Sequence, residues 1–176
     1  MSRLYWINLR APGRIAIMAR PRAGDWLKSE INDWRDLGID VVVSLLEQEE
    51  ISELALQHEA ALCRALGIDF ISCPIPDRGV PESRPKILRL ARSLVASVQD
   101  GRSIAIHCRA GIGRSSLMAA CLMICSGVGA EEAFELIREA RGLSVPDTDA
   151  QRDWVLDFGR SCRDEVLRSQ GKPPDG

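Results

Sequence analysis

The chain has 176 residues and a formal net charge of −2, with 45% apolar and 27% charged residues. This composition is ordinary for a globular protein with a buried core, and it excludes the strongly basic surface of nucleic-acid-binding proteins. The longest apolar run near the middle, residues 117–125, is far shorter than the roughly 20 residues that span a bilayer. We therefore expect neither a nucleic acid nor a membrane as partner.

Six cysteines are spread along the chain, and an even number can indicate a disulfide framework. A chain of this length has enough core to fold without disulfides, and no Cys-x-x-Cys pair suggests a zinc or redox site. The N-terminus lacks the continuous apolar segment of a secretion signal. We therefore expect a cytoplasmic, monomeric protein with free thiols.

Strand-like and helix-like segments alternate along the chain, which is typical of α/β folds. We predict strands at residues 4–9, 14–18, 40–46, 69–75 and 103–108, with the first two in a hairpin. Helices are predicted at residues 25–37, 49–66, 85–98, 114–125, 131–141 and 151–168. The last strand is short and apolar, so it belongs in the centre of the sheet. The predicted fold class is α/β, with a central, mainly parallel sheet flanked by helices. We expect one domain over residues 1–170 and a disordered tail at residues 171–176.

A glycine-rich loop follows the central strand, in the stretch IHCRAGIGRSS at residues 106–116. Cys108 closes the strand, and Arg114 opens the next helix. Between them, Gly111 and Gly113 allow backbone angles that other residues resist. Amide N–H groups can then turn inward, and the helix N-terminus adds its positive dipole end. The loop predicts a site for an anion of phosphate or sulfate size; an ordinary strand-to-helix turn is the alternative.

Two side chains of this loop can carry chemistry. Arg114 has a planar guanidinium that binds two phosphate oxygens at once, which a lysine cannot do. Cys108 lies in the same positive field, and thiols beside cations or helix N-termini lose their proton readily. A thiolate held beneath a phosphate is a nucleophile in line with phosphorus. The loop therefore predicts phosphate-ester chemistry.

The run His107-Cys108-x5-Arg114-Ser115 resembles the His-Cys-x5-Arg-Ser/Thr signature of the cysteine-dependent protein tyrosine phosphatase superfamily. Upstream lies CPIPDRGVP, and downstream come SSLMAACLMICSG and a helix ending in REARG. That order is similar to the dual-specificity branch, and most like its kinase-associated phosphatase group. The resemblance covers residues 37–154 and implies the protein tyrosine phosphatase fold. Sulfurtransferases also have a cysteine loop, but they do not require this arginine with a serine behind it.

The resemblance also implies roles for the loop residues. Cys108 would be the nucleophile, Arg114 the phosphate clamp, and Ser115 a donor to the sulfur that eases its departure. A helix-capping role for Ser115 is compatible with this one. His107 would be buried and hydrogen-bonded, holding the loop. No metal or other cofactor is expected, because the loop and Arg114 supply the electrostatics. The remaining loop residues would bind the substrate phosphate: Arg109, Ala110, Gly111, Ile112 and Gly113.

An acid must protonate the departing oxygen, and the resemblance assigns this role to Asp77. Independently, the flanking prolines and glycine of PIPDRGVP hold Asp77 in a turn after a strand, where a carboxyl can face the loop. A plain turn aspartate is the alternative, and Glu82 is a second candidate acid. Arg78, beside Asp77, either contacts the substrate or is a solvated loop arginine.

Hydrolysis of a cysteinyl-phosphate needs a positioned water. Tyrosine-specific and kinase-associated relatives orient it with two glutamines, the first of which is followed by a threonine. The matching stretch here, DTDAQ, keeps the second glutamine as Gln151 but has Asp147 in place of the first. A carboxylate beside a bound phosphate is repelled, so we expect slower or differently controlled hydrolysis. Alternatively, Asp147 caps the last helix.

The predicted function is a protein phosphatase acting on phosphotyrosine and also on phosphoserine and phosphothreonine. The only tyrosine, Tyr5, lies in the first strand, so no aromatic wall indicates a deep phosphotyrosine pocket. The acidic cluster LLEQEE at residues 45–50 either favours basic residues near the phosphosite or is a solvated helix start. The alternative function is a phosphoprotein- or kinase-binding module with weak or vestigial phosphatase activity.

Overall fold

One five-stranded sheet forms the centre of the protein. The computed structural model describes the backbone of residues 3–170 and the side chains of residues 3–163. The strands are β1 (Tyr5–Ile7), β2 (Ile15–Ala19), β3 (Val41–Ser44), β4 (Asp69–Ser72) and β5 (Ile104–Cys108). Their order is β1-β2-β5-β3-β4, with β1 antiparallel to β2 and the other neighbours parallel. The predicted α/β class and the hairpin are confirmed.

The burial of each strand agrees with its position in the sheet. Every residue of β3 and β5 is buried, and both strands consist almost wholly of apolar residues. Parallel strands covered on both faces have this composition. The edge strands β1 and β4 are shorter or partly exposed. The predicted central position of β5 is therefore confirmed.

Helices cover both faces of the sheet. One face carries α1 (Leu27–Asp36), α2 (Gln48–Glu53) and α3 (Glu59–Ala65), which pack around the buried Trp34. The other face carries α4 (Arg84–Gln99), α5 (Gly113–Cys125), α6 (Ala130–Arg141) and α7 (Asp149–Gln170). Among the described residues, no helix is both long and apolar enough to cross a membrane. The expected tail at residues 171–176 lies outside the described residues.

The prediction of a single helix at residues 49–66 is wrong. The chain forms α2, turns at Ala55 with a φ of 53°, and begins α3 at Glu59. A left-handed residue ends a right-handed helix, and here the turn buries Leu56 to 2% exposure. The break directs two buried acids, Glu50 and Glu59, toward the sheet. The other five predicted helices match to within two residues at each end.

Ala55 offers a test of this turn. Because the left-handed conformation disfavours a Cβ atom, Ala55→Gly should raise the free energy of unfolding by about 0.5–1 kcal/mol. The matched control is Ala61→Gly, at an exposed position inside α3, which should lower it by about 1 kcal/mol. Urea denaturation measures both values. An equal loss in the two variants would contradict the assigned break.

Candidate active site

The predicted site residues gather at the carboxyl edge of the parallel strands, where open α/β sheets bind their ligands. The loop of residues 108–114 joins β5 to α5 and borders a cavity of about 260 Å³. Gly111, Ser115 and His107 are buried and lie outside the cavity lining. The other predicted residues line it: Asp77, Arg78, Cys108, Arg109, Ala110, Ile112, Gly113, Arg114, Asp147 and Gln151.

Both loop glycines are required by close approach of the chain. Gly111 has a φ of 67°, and a Cβ atom there would lie 2.4 Å from the carbonyl carbon of Met18 in β2. At Gly113, a Cβ atom would lie 2.7 Å from the Cβ of Asp147 and 2.8 Å from Oε1 of Gln151. The loop is therefore held between β2 on one side and the start of α7 on the other.

Cys108 ends β5 with its sulfur directed into the loop. Its side chain is buried, and the Gly111 N–H donates a hydrogen bond to Sγ at 3.3 Å. The Ser115 hydroxyl lies 3.6 Å from Sγ and is hydrogen-bonded to it. Because a hydroxyl can rotate to donate or accept, Ser115 is placed where the resemblance put a donor to the sulfur.

Arg114 is held by a bidentate ion pair. Its Nη1 and Nη2 atoms lie 2.6 and 2.8 Å from the two carboxylate oxygens of Glu50, and Nη1 also donates to the Ile75 carbonyl at 3.0 Å. The side chain of Arg114 is only 2% exposed. Burial acts to lower the pKa of Arg114, but hydrogen bonds to Glu50 and the negative charges of Cys108, Glu50 and Asp77 outweigh it and raise the pKa.

Glu50 is the main site residue that the sequence did not reveal. Both interpretations of the acidic cluster at residues 45–50 are wrong for Glu50, which is 6% exposed and directed inward. A reciprocal capping box with Glu47 starts α2 and orients the carboxylate. Burial acts to raise the pKa of Glu50, but hydrogen bonds from Arg114 and the Glu47 N–H, with the charges of Arg114 and Arg109, hold it below its ordinary value.

Asp77 lies in the loop after β4 and faces the same cavity. Its Oδ1 atom is 2.9 Å from Nη2 of Arg114, and 55% of its side chain is exposed. The Asp77 N–H donates to the Glu47 carboxylate at 3.2 Å, which connects the loop that carries Asp77 to the start of α2. Glu82, the second candidate acid, lines a different cavity of about 220 Å³. The structure therefore brings Asp77, and not Glu82, to the loop.

The start of α7 closes the cavity on its far side. Gln151 is fully buried, and its Nε2 donates to the Gly79 carbonyl at 3.0 Å. The predicted cap by Asp147 is wrong, because the Gln151 N–H donates instead to Oγ1 of Thr148 at 3.2 Å. Asp147 forms an ion pair with Arg78 at 3.2 Å, and 66% of the Arg78 side chain stays exposed at the edge of the cavity.

Arg109 and Arg141 hold the loop from outside. The exposed Arg109 pairs with Glu53 of α2 at 2.7 Å. The Arg141 Nε donates to the Gly111 carbonyl at 2.8 Å, and its guanidinium lies over the Tyr5 ring at 4.2 Å from the centroid. Tyr5 thus supports the loop and does not form a pocket wall. Arg141 belongs to the REARG segment of the family resemblance, but the sequence does not indicate its contact with the loop.

His107 is fully buried on the face of β5 opposite Cys108, as expected for a strand. Its Nε2 lies 3.0 Å from Oε1 of Glu59, which is also buried. The two groups are not aligned as a hydrogen bond, and neither ring nitrogen has a hydrogen-bond partner among the described residues. The predicted burial is confirmed and the ring contacts the Glu59 carboxylate, whereas the hydrogen bond stays a prediction.

Comparison with known proteins shows the family. A family model described as "PTP-SAK: Swiss Army Knife protein, DSP-PTPase phosphatase domain" matches residues 1–171. The chain belongs to this DSP-PTPase phosphatase family. The resemblance seen in the sequence is confirmed, and the family contains cysteine-dependent tyrosine and dual-specificity protein phosphatases. Protein phosphatase is therefore the activity that the family supports, and the vestigial binding module is not favoured.

Individual relatives agree with the family assignment. Cyclin-dependent kinase inhibitor 3 of Rattus norvegicus is 26% identical over 151 residues, which cover 81% of this chain and 71% of the relative. The protein of that name in Sus scrofa is covered over 63% of its length, so the chain spans about two thirds of these relatives. A crystal structure of kinase associated phosphatase (KAP) has a TM-score of 0.83 and 22% identity, covering 94% of this chain and 96% of KAP. At that identity the KAP structure supports the fold alone.

Removing the charge of Glu50 tests the ion pair. Glu50→Gln leaves the buried Arg114 without its counter-charge, so the free energy of unfolding should fall by about 3 kcal/mol. The control is Glu53→Gln, which breaks the exposed pair with Arg109 and should leave stability nearly unchanged. Chemical denaturation at pH 7 compares the two variants. Equal stabilities would show that Glu50 is not a buried partner of Arg114.

The ion pair between Glu50 and Arg114 should also make the free energy of unfolding depend on pH. Because the folded-state pKa of Glu50 is lowered, its stabilisation is complete above pH 4.5, the ordinary value, and is lost as the pH falls through the folded-state pKa. The wild type should therefore lose stability below pH 4.5 more steeply than Glu50→Gln. Denaturation curves between pH 3 and pH 6 test this expectation, and parallel curves would contradict it.

Proposed function

We propose that this phosphatase hydrolyses phosphotyrosine, phosphoserine and phosphothreonine in proteins through a cysteinyl-phosphate on Cys108. One observation carries the proposal: Cys108, Arg114 and Asp77 line a single cavity. A thiol, a fixed guanidinium and a carboxyl are the groups that transfer of a phosphoryl group to sulfur requires.

Phosphate binding would rest on Arg114 and the loop amides. The bonds of Arg114 to Glu50 and to backbone carbonyls use its Nη atoms, so its Nε–H has no acceptor among the described residues. Nε and Nη2 lie on one edge of the guanidinium and can donate to two phosphate oxygens together. Because Asp77 contacts Nη2, a phosphate on this edge would lie beside the acid.

In the first step, the Cys108 thiolate would attack phosphorus while the bond between phosphorus and the leaving oxygen breaks. Asp77 would give its proton to that oxygen, so a neutral hydroxyl or phenol departs. In the second step, water would attack phosphorus, the P–S bond would break, and Asp77 would take the proton of the water. Ser115 would donate a hydrogen bond to the sulfur as it leaves.

Gln151 supports the second step. Its Nε2 is committed to the Gly79 carbonyl, while its buried Oε1 has no partner among the described residues and lies against Gly113. A water bound to Oε1 would sit at the edge of the loop. Asp147 is paired with Arg78, which offsets part of the repulsion between its carboxylate and a bound phosphate.

The substrate range follows from the shape of the cavity. Its lining among the described residues contains no aromatic side chain, so no aromatic wall deepens the cavity to make it selective for phosphotyrosine. Phosphoserine and phosphothreonine have shorter side chains and can reach a shallow site. The rat relative is named for inhibition of a cyclin-dependent kinase, and phosphorylated kinases are therefore the first proteins to test. None of the six cysteines, all within the described residues, forms a disulfide, which supports a cytoplasmic location. We propose a monomer acting without metal or other cofactor.

Hydrolysis of para-nitrophenyl phosphate in the presence of EDTA tests thiol chemistry. The wild type should be active without metal, and Cys108→Ser should abolish turnover because a serine hydroxyl is a far weaker nucleophile at neutral pH. Cys162→Ser, a thiol far from this loop, should retain activity. Loss of wild-type activity in EDTA, or activity that survives in Cys108→Ser, would contradict the proposal.

A separate substitution tests the acid. Asp77→Asn should lower kcat for a phosphoserine peptide by about 10²-fold or more and remove the fall in rate on the basic side of the pH profile. Glu82→Gln, in the neighbouring cavity, serves as control and should keep both. An unchanged profile in Asp77→Asn would leave Asp77 as a turn residue only.

A further inference from the structure

A second cavity, of about 460 Å³, lies at the opposite end of α5 from the catalytic loop. Its lining is mainly apolar and comes from α4, from the turn between α5 and α6, and from α7. Two cysteines, Cys125 of α5 and Cys162 of α7, line this cavity together. Neither is in a disulfide and both are of intermediate exposure, so a small solute can reach them.

A close crossing of two helices lies beside these cysteines. A Cβ atom at Gly159 would lie 3.6 Å from Cδ1 of Ile124 and 3.6 Å from the Cβ of Ala130. The missing side chain of Gly159 therefore lets α7 approach the end of α5. Cys125 follows Ile124 directly, and Cys162 lies three residues after Gly159, on the same face of α7.

A third thiol supports the same proximity. Cys121 lies one turn before Cys125 and is fully buried. Burial raises the pKa of the Cys121 thiol well above its ordinary value, and the neighbouring charges of Cys125 and Cys162 raise it further. Both outer thiols therefore lie close enough to act on Cys121. Cys121 itself is inert, since burial suppresses its thiolate.

We propose that Cys125 and Cys162 are a redox pair that a hydroperoxide converts into a disulfide between α5 and α7. One thiolate attacks a peroxide oxygen, the O–O bond breaks, and a sulfenic acid forms. The second thiol attacks that sulfur, the S–S bond forms, and water leaves. The two thiols lose two electrons and two protons in all, and hydrogen peroxide is reduced to two waters. Small thiols reverse the bond by exchange.

The disulfide would join the far end of α5 to the interior of α7, and the near ends of these two helices meet at the catalytic loop. Gly113 opens α5, and Gln151 in the first turn of α7 has Oε1 2.8 Å from the Cβ position of Gly113. Fixing Cys125 to Cys162 would therefore restrict the movement of α7 relative to α5.

Peptide mapping tests the pair without relying on phosphatase activity. The reduced protein is treated with hydrogen peroxide, free thiols are blocked with N-ethylmaleimide, and the unreduced protein is digested with trypsin. Cleavage after arginine puts Cys162 in the peptide of residues 161–163, and puts Cys121 and Cys125 in that of residues 115–138. The expected product is these two peptides linked, lighter by two hydrogen atoms than their sum and separated by reductant.

Serine variants identify the partner. Cys121→Ser should keep the linked product, whereas Cys125→Ser and Cys162→Ser should each lose it. The proposal is overturned if the wild type gives no linked product, if the product survives in Cys125→Ser, or if the link forms only between two chains on a non-reducing gel. If a variant fails to fold, fragmentation of the wild-type linked product by tandem mass spectrometry shows whether Cys121 or Cys125 carries the link. The outcome is also independent of whether Cys108 is the catalytic nucleophile.

Discussion

A guanidinium enclosed by protein needs a counter-charge, and the pairing of Arg114 with Glu50 meets that need at the centre of this site. Arg114 lies in the first turn of α5 on one face of the sheet, and Glu50 lies on α2 on the other. Their contact crosses the carboxyl edge of the strands, where the carbonyls of Leu45 and Ile75 also accept from Arg114. The position of the phosphate clamp therefore depends on both helix layers.

The short helix α2 organises more of the site than its length suggests. Three acids that border it are spaced three residues apart and share one face. Glu47 accepts from the Asp77 N–H, Glu50 holds Arg114, and Glu53 pairs with Arg109. Helix α2 thus helps to position the loop that carries Asp77, the guanidinium of Arg114 and the outer edge of the phosphate loop. From the opposite side, Arg141 donates a hydrogen bond to the Gly111 carbonyl of the loop.

Local signals in the sequence were sufficient for most of the fold and for the loop itself. The alternation of apolar segments with glycine breaks predicted the strands and helices, and the spacing of Cys108, two glycines and Arg114 predicted the anion site. Glu50 and Arg141 were missed because each acts through a partner remote in sequence: 64 residues separate Glu50 from Arg114, and 30 separate Arg141 from Gly111. No pattern of neighbouring residues records such pairs.

The break between α2 and α3 was missed for a related reason. No glycine or proline marks it, and Ala55 adopts the left-handed conformation in a turn that buries Leu56. At the start of α7, Asp147 and Thr148 are both good capping residues, and only the fold shows that Thr148 caps while Asp147 pairs with Arg78. Choices between adjacent, chemically similar residues therefore required the structure.

The most direct measurement is capture of the phosphorylated enzyme. Rapid mixing with a ³²P-labelled phosphotyrosine peptide, followed by denaturation within the first turnover and tryptic digestion, would show which residue accepts the phosphoryl group. The label is expected on the peptide of residues 103–109, which contains Cys108 as its single cysteine. Release of labelled phosphate with no label on that peptide, or label on another residue, would contradict it.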